Sequence, residues 1–468
     1  MALLLVVTLG LRFPHLGYSD YIGDEHKAFF QPAAGQSVWN FFMEQRKGPM
    51  QFVVSYIPYL FTHNWRNELA ERILFTIFNV ASVFVFYALV KKLTKDWRVA
   101  FLAASLLSTN GFIVGFSRIA QYQNLNLFFS FLALYFYSDF RKRSLFGTVA
   151  FSLSLLSHWD AIFILPLVAI FLRNFLLDKS VPKLEKTRIL ITNFVLGSLI
   201  LLPFLVPYIW HQISHAANKE YFTRRVELGN FNLRNYIFLI KLYNPFFTLE
   251  FLLVAIATSL LFIKRTWMYL VWFTVNFSLF AIFVKKPDTH VYNFVIPAIL
   301  LGSVGLVLAL EALPRFSKYL FTALTSIFLI FFAYQSYVIF VDHKVEYPWR
   351  REQLLGKNFL RTQIYNDADE TPLFGFPLSR GWNEINNFVN AQNDVRGENF
   401  GYQTNEAKTI SEWYMDVGYR QEGFYAIGIK WPLSFANDMK FTQFGRKEVV
   451  YEKEKDGEVV VRIYRVPF

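Results

Sequence analysis

The chain opens "MALLLVVTLGLRFPHLGYSDYIGDEH" (residues 1–26), an apolar run followed by three adjacent ionisable residues, Asp24, Glu25 and His26. Ionisable groups beside a bilayer are either solvated loop charges or parts of a reaction centre. The run lacks the basic start and small-residue cleavage site of a signal peptide, so it reads as a retained first helix. Composition agrees with a membrane setting: 54% of the 468 residues are hydrophobic and 19% aromatic, against 18% charged. A soluble domain of this length could not bury so much apolar surface. With no cysteine in the chain, disulfides, thiolate metal sites and thiol catalysis are excluded.

A span of roughly 17–25 apolar residues crosses the hydrocarbon core. Eleven candidates follow one another at 1–16, 69–90, 99–116, 123–138, 144–157, 159–177, 188–210, 246–263, 267–284, 291–311 and 317–341, three of them short (1–16, 123–138 and 144–157). Alternate connections are basic: Lys91 to Arg98, Arg141 to Arg143, Arg173 to Arg188, Lys264–Arg265, and Arg315 with Lys318. The positive-inside rule makes those loops cytoplasmic, with the N-terminus inside. The loops at 17–68 and 211–245 and everything after 341 then fall outside. The net charge of +12 follows the same division, since residues 1–341 hold 30 Lys and Arg against 16 Asp and Glu, and residues 342–468 hold 17 against 19. Basic turns of a membrane protein account for that excess better than a nucleic-acid-binding surface.

After residue 341 polar residues rise, and "GFYAIGIKW" and "EVVVRIYRV" alternate as strands do, while "LSRGWNEINNFVNAQ" has helical spacing. The expected architecture is a polytopic α-helical membrane protein with about eleven transmembrane helices over 1–341, followed by a small extracytoplasmic α/β domain over 342–468.

The polar residues that call for explanation gather on the outer side. "SVWNFFMEQ" (37–45) suits an interfacial helix. In "RKGPMQFVVSYIPYLF" (46–61), Pro49 suits a helix start, which places Lys47 beside a helix N-terminus, a setting that favours an anion; a snorkelling lysine is the plainer reading. In "FSRIAQYQNLNLFF" (116–129), Arg118 and amides including Gln123 line a cavity or hydrogen-bond between helices. "LLSHWDAIFILP" (155–166) brings His158 and Asp160 to the top of a span, where a capping Asp is the bland alternative. "VKKPDTHVYNFVIP" (284–297) adds Lys285, Lys286, His290 and Tyr292. Carboxylates facing cations suit a base that activates an acceptor while positive charge holds a phosphate leaving group. A divalent metal stays open, though Glu25, His26, His158 and His290 show no ligand spacing that recommends one.

At these residues the chain resembles the GT-C membrane glycosyltransferases of the protein O-mannosyltransferase and aminoarabinose transferase type. "GDE" is similar to their Asp-Glu pair after the first helix. "KGPMQFVVSYIPYLFTHNWRNELAERILFTIFNVASV" resembles their segment that opens Lys-Pro-Pro-Leu and runs through Asn-Glu-x-x-x-Arg. "SRIAQYQNLNLFFSFLALYFY" and "KKPDTHVYNFVIPAIL" match two further stretches in order, so that the similarity covers roughly 1–310. The resemblance implies an enzyme that moves a sugar from a polyprenyl-phosphate donor to a hydroxyl of a protein, lipid or glycan, with inversion, on the outer face of a bacterial cytoplasmic membrane. It implies Asp24 as base, Glu25 as a second acid holding the acceptor or the site geometry, and Lys47 at the carrier phosphate with Arg118, Lys285 and Lys286 as further candidates. His26, Gln123, His158, Asp160, His290 and Tyr292 would line the site. Two departures stand out: Gly48 replaces the first proline of the lysine motif, which is expected to loosen that turn, and Gln123 stands where many relatives have an aspartate. A transporter of lipid-linked sugars, or a non-catalytic relative whose outer domain binds a partner, are the alternative functions.

Overall fold

The computed structural model describes residues 1–22, 24–45, 47–214, 232–284, 287–344, 352–354, 361–363, 374–392, 401–420, 425–430, 447–455 and 457–466. Helices come first: α1 (Ala2–Arg12), α2 (Val38–Glu44), α3 (Met50–Thr62), α4 (Glu68–Thr94), α5 (Trp97–Thr109), α6 (Gly111–Ser117), α7 (Gln123–Tyr137), α8 (Phe140–Leu155), α9 (Leu165–Leu177) and α10 (Lys183–Ser214). They continue as α11 (Leu233–Tyr243), α12 (Thr248–Leu260), α13 (Ile263–Phe283), α14 (Tyr292–Ala312) and α15 (Arg315–Phe340). The C-terminal part holds β1 (Glu352–Leu354), β2 (Arg361–Gln363), α16 (Trp382–Ala391), β3 (Tyr402–Thr404), α17 (Lys408–Tyr414), β4 (Tyr425–Ile429), β5 (Glu448–Lys455) and β6 (Glu458–Arg465).

Local chemistry sets these boundaries. Asn67 caps α4 by accepting from the Ala70 N–H, Glu68 and Glu71 stand in its first turn and Lys91 and Lys92 in its last, matching charge to the helix dipole at both ends. Helix α3 starts after Pro49, as the missing proline N–H favours. Among the described residues six helices are long and apolar enough to cross a membrane, and counting each of two bent pairs, α5 with α6 (61°) and α11 with α12 (115°), as one span gives at most eight. Helix α1, α7 and α8, of 11, 15 and 16 residues, coincide with expected spans but fall short of that length. The α5–α6 bend sits at Asn110, whose side chain accepts from the Phe112 N–H and so starts a new helix inside an apolar stretch. Helix α11 forms within the expected outer loop 211–245.

Helix α14 is the axis of the bundle: 83% of its apolar window is buried, whereas none of the corresponding window of α10 is, so α10 presents its surface to lipid. Small residues bring α12 against α14, because a Cβ at Gly305 would lie 2.6 Å from the Ser259 backbone and one at Gly302 would lie 2.7 Å from the Ala255 Cβ.

The C-terminal sheet has the order β3-β4-β6-β5, with β3 parallel to β4 and the other pairs antiparallel. Its hydrophobic core does not close on itself. Tyr21, Ile22, Ala28 and Phe29 from the loop after α1 share one buried cluster with Trp382, Tyr402, Tyr414 and Ile427. Polar bonds fasten the same contact: Asp20 accepts from the main-chain N–H groups of Arg380 (2.5 Å) and Gly381 (3.1 Å), and Tyr21 N–H donates to the Tyr414 hydroxyl (2.8 Å). Replacing Asp20 with Ala leaves two largely buried N–H groups unsatisfied, at about 1–3 kcal/mol each. Limited proteolysis of the Asp20→Ala variant in detergent should therefore cleave the C-terminal region faster than in wild type, with the helical bundle protected as before.

Candidate active site

The residues flagged around the first loop fall into three environments. Glu25 has no solvent-exposed surface. Its carboxylate receives the Arg72 guanidinium on both oxygens (2.7 and 2.9 Å) and also accepts from the Ile22 and Ala120 N–H groups (3.2 and 2.9 Å). Arg72 spends its other donors on the carbonyls of Leu16, Ser19 and Asp20. Glu25 thus holds the loop against α4 and the segment leading to α7; of the two roles expected for it, holding the acceptor or holding the site geometry, its burial leaves no surface for the first and its bonds fit the second.

Asp24, next to it, turns outward with 47% of its side chain exposed. Its Oδ1 accepts from Lys27 Nζ at 2.6 Å and its Oδ2 lies 3.9 Å from Lys47 Nζ. Burial by itself would raise the Asp24 pKa, but the Lys47 and Lys27 charges and the Lys27 hydrogen bond outweigh it and hold the carboxyl at about 2. Asp24 is therefore an anion at every physiological pH. His26 follows in the same turn, its ring 5.9 Å from that of Trp413 on α17.

Lys47 is 13% exposed and is placed by its neighbour. Gly48 donates its N–H to Ser157 O (3.2 Å) and Met50 donates to Leu156 O (3.1 Å), pairing this turn with the end of α8. A Cβ at Gly48 would stand 1.9 Å from Leu156 O. The glycine therefore tightens the turn where a loosening was expected: it is the residue small enough to permit the approach, and a proline would also lack the donated N–H. One residue beyond Ser157, the His158 ring stacks on Tyr122 (3.7 Å between centroids), and Lys47 Nζ lies 5.5 Å from the Tyr122 centroid.

His158 leads to the third environment. Asp160, 6% exposed, has His158 Nδ1 3.1 Å from Oδ1, and His290 Nδ1 2.8 Å and the Tyr292 hydroxyl 2.7 Å from Oδ2. Burial pushes the His158 pKa below that of a free imidazole, against the pull of Asp160. The structure thus links Asp24, Lys47, Tyr122, His158, Asp160, His290 and Tyr292 in one continuous row. Tyr122 is the member that sequence reading passed over; its place beside the flagged amide Gln123 was the available signal.

Arg118 is buried and donates to the carbonyls of Arg12 (3.1 Å) and His15 (3.2 Å), closing the chain segment at the end of α1. That engagement differs from the phosphate contact expected of it. Gln123 is 1% exposed at the start of α7, with its Oε1 buried and lacking a hydrogen-bond partner. Lys285 and Lys286 lie outside the described residues. Removing one member of a buried ion pair strands the other, typically at about 3–5 kcal/mol. Glu25→Ala should accordingly lower the thermal midpoint of the detergent-solubilised protein by far more than Asp24→Ala, whose carboxylate is half exposed; equal midpoints would show that the Glu25 pair does not hold the loop.

No protein-family model matches the chain, and no curated protein matches its sequence. Its fold does match solved structures. The apo crystal structure of ArnT from Cupriavidus metallidurans aligns over 99% of this chain and 97% of its own with a TM-score of 0.54 at 12% identity. The apo oligosaccharyltransferase of Archaeoglobus fulgidus aligns over 92% of this chain and 69% of its own with a TM-score of 0.51 at 11% identity. The likeness runs through nearly the whole chain, and the shared fold is the polytopic GT-C membrane fold.

Proposed function

We propose that the protein is a membrane glycosyltransferase that moves a sugar from a polyprenyl-phosphate carrier to a hydroxyl acceptor on the outer face of a bacterial cytoplasmic membrane. The observation that carries this reading is the pairing of a half-exposed carboxylate, Asp24, with a nearly buried ammonium, Lys47, 3.9 Å away at one end of the bundle. The fold shared with ArnT and with an oligosaccharyltransferase supports the reaction class.

The mechanism follows from the charges. The carrier phosphate approaches Lys47, which balances the negative charge that grows on the phosphate as the bond from the sugar anomeric carbon to its oxygen breaks. The acceptor hydroxyl attacks that carbon from the opposite side and gives its proton to Asp24; one C–O bond forms, one breaks, and the configuration inverts. Glu25 touches neither reactant and acts as a positioning residue for Asp24. An anionic phosphate at Lys47 also offsets the cation that holds the Asp24 pKa down, so the carboxylate becomes a stronger base when the donor is bound. Residues 342–468 serve as the extracytoplasmic accessory domain, and Trp413, in ring contact with His26, brings that domain to the acceptor side.

Loss of a positioned base costs about a hundred- to ten-thousand-fold in rate. Asp24→Asn, reconstituted in liposomes with a panel of polyprenyl-phosphate sugars, should lose transfer by that factor while remaining folded; turnover near wild type would remove Asp24 from the mechanism. The pH profile gives a second check. With the free-enzyme Asp24 pKa at about 2, kcat/KM should show no acid limb from this group down to pH about 3. Lys47→Met removes the main charge that depresses it, so the limb should move up toward about 4, the ordinary Asp value. Profiles that coincide would mean that Lys47 does not act on the base.

A further inference from the structure

The row of site residues ends in a group that the transfer mechanism above does not use: His158, Asp160 and His290. They come from two parts of the chain, His158 and Asp160 from the turn that follows α8 and His290 from the turn before α14. One ligand-capable atom from each lies within 4.8 Å of the others. Ligands about 2 Å from a zinc ion stand about 3.3 Å apart in a tetrahedron, and Asp160 Oδ1 lies 3.1 Å from both His158 Nδ1 and His290 Nδ1.

The hydrogen bonding supplies a second, independent observation. The Asp160 N–H donates to His158 Nδ1 at 3.2 Å, which puts a lone pair on that nitrogen and the proton on Nε2. The same Nδ1 stands 3.1 Å from Asp160 Oδ1, a contact that either a proton on Nδ1 or a cation shared by the two atoms makes attractive. A bound cation would take that Nδ1 lone pair in place of the Asp160 N–H, together with one Asp160 oxygen, as two coordinate bonds. The surroundings have the character of a supporting shell: the His158 ring is fixed against Tyr122, the Tyr292 hydroxyl donates to Asp160 Oδ2, and Asn126 donates to His158 O at 3.3 Å. The imidazoles of His158 and His290 are nearly parallel, 22° apart, and their side chains keep 13% and 22% exposure, which leaves the group a route from solution.

We infer that His158, Asp160 and His290 form a binding site for a divalent transition-metal ion. Two imidazole nitrogens with one carboxylate oxygen suit zinc and its neighbours and disfavour magnesium and calcium, which take oxygen ligands. The ion would lie beside His158, whose ring stacks on the Tyr122 that Lys47 also approaches, and would add a second positive charge to the row.

The test reads binding, so it stands apart from the transferase reading. The full-length protein in detergent, stripped with chelator and desalted, is titrated with Zn²⁺ alone, with bound metal measured by elemental analysis and with Co²⁺ absorption as a second readout of coordination by nitrogen. Wild type should hold about one equivalent and gain thermal stability with Zn²⁺. His290→Ala and Asp160→Asn, each compared with the wild-type elution volume to confirm folding, should bind at least about tenfold more weakly and lose the thermal shift. His290→Ala is the more lenient change, since that ring is the most exposed of the three. No stoichiometric metal in wild type, or wild-type affinity in a folded His290→Ala, would overturn the site while leaving the assignment of Asp24 and Lys47 untouched.

Discussion

The buried pairing of Glu25 with Arg72 is the constraint on which the rest of the site depends. Arg72 enters from α4 and satisfies one carboxylate and three carbonyls of the loop after α1, so a single guanidinium converts a stretch of irregular chain into a fixed surface. Such a pair costs desolvation to assemble, and its stability comes from the completeness of its hydrogen bonds. Here both oxygens of Glu25 and most donors of Arg72 are engaged. Asp24 inherits its position from that arrangement: one residue is turned inward and saturated, and its neighbour is thereby presented to solvent.

Lys47 is held by an equally strict but different device, backbone against backbone. The turn at Gly48 lies on Leu156 and Ser157, so the lysine and His158 sit on adjoining strips of main chain, and both approach the Tyr122 ring. Movement of the end of α8 would carry both. The charges along this row alternate: the Asp24 anion, the Lys47 cation, then the Asp160 anion between two imidazoles. Under the proposed transfer, Lys47, the cation standing between two carboxylates in this row, is the group that would favour negative charge growing on a departing phosphate.

Much of the fold was legible in the sequence because it depends on local composition. Apolar length marked the helices, Pro49 marked the start of α3, and alternating residues in "EVVVRIYRV" and "GFYAIGIKW" marked β6 and β4. What escaped notice depends on contacts between distant residues. Asn110 breaks an apolar stretch by capping the helix that follows, and nothing in its apolar flanks distinguishes it from an ordinary polar residue within a span. Glu25 and Asp24 are identical in kind on paper; burial against Arg72, 47 positions away, separates their roles. The gathering of Asp160 with His290 bridges 130 positions and has no motif spacing to announce it. Gly48, taken as a loosened turn, owes its place to a carbonyl more than a hundred residues further on.

The loop after α1 is completed by residues near the other end of the chain. Tyr21 reaches the Tyr414 hydroxyl across 393 positions, and the Asp20 carboxylate is occupied by main-chain N–H groups at 380 and 381. During synthesis the ion pair with Arg72 has both partners available once α4 has emerged, whereas the outer wall of the loop waits for nearly the whole polypeptide. The order of translation therefore separates insertion from maturation: the helices enter the bilayer with a half-built loop, and the last fifth of the chain closes it. A chain released early would carry every candidate reactive residue and still lack the surface against which Asp24 is set.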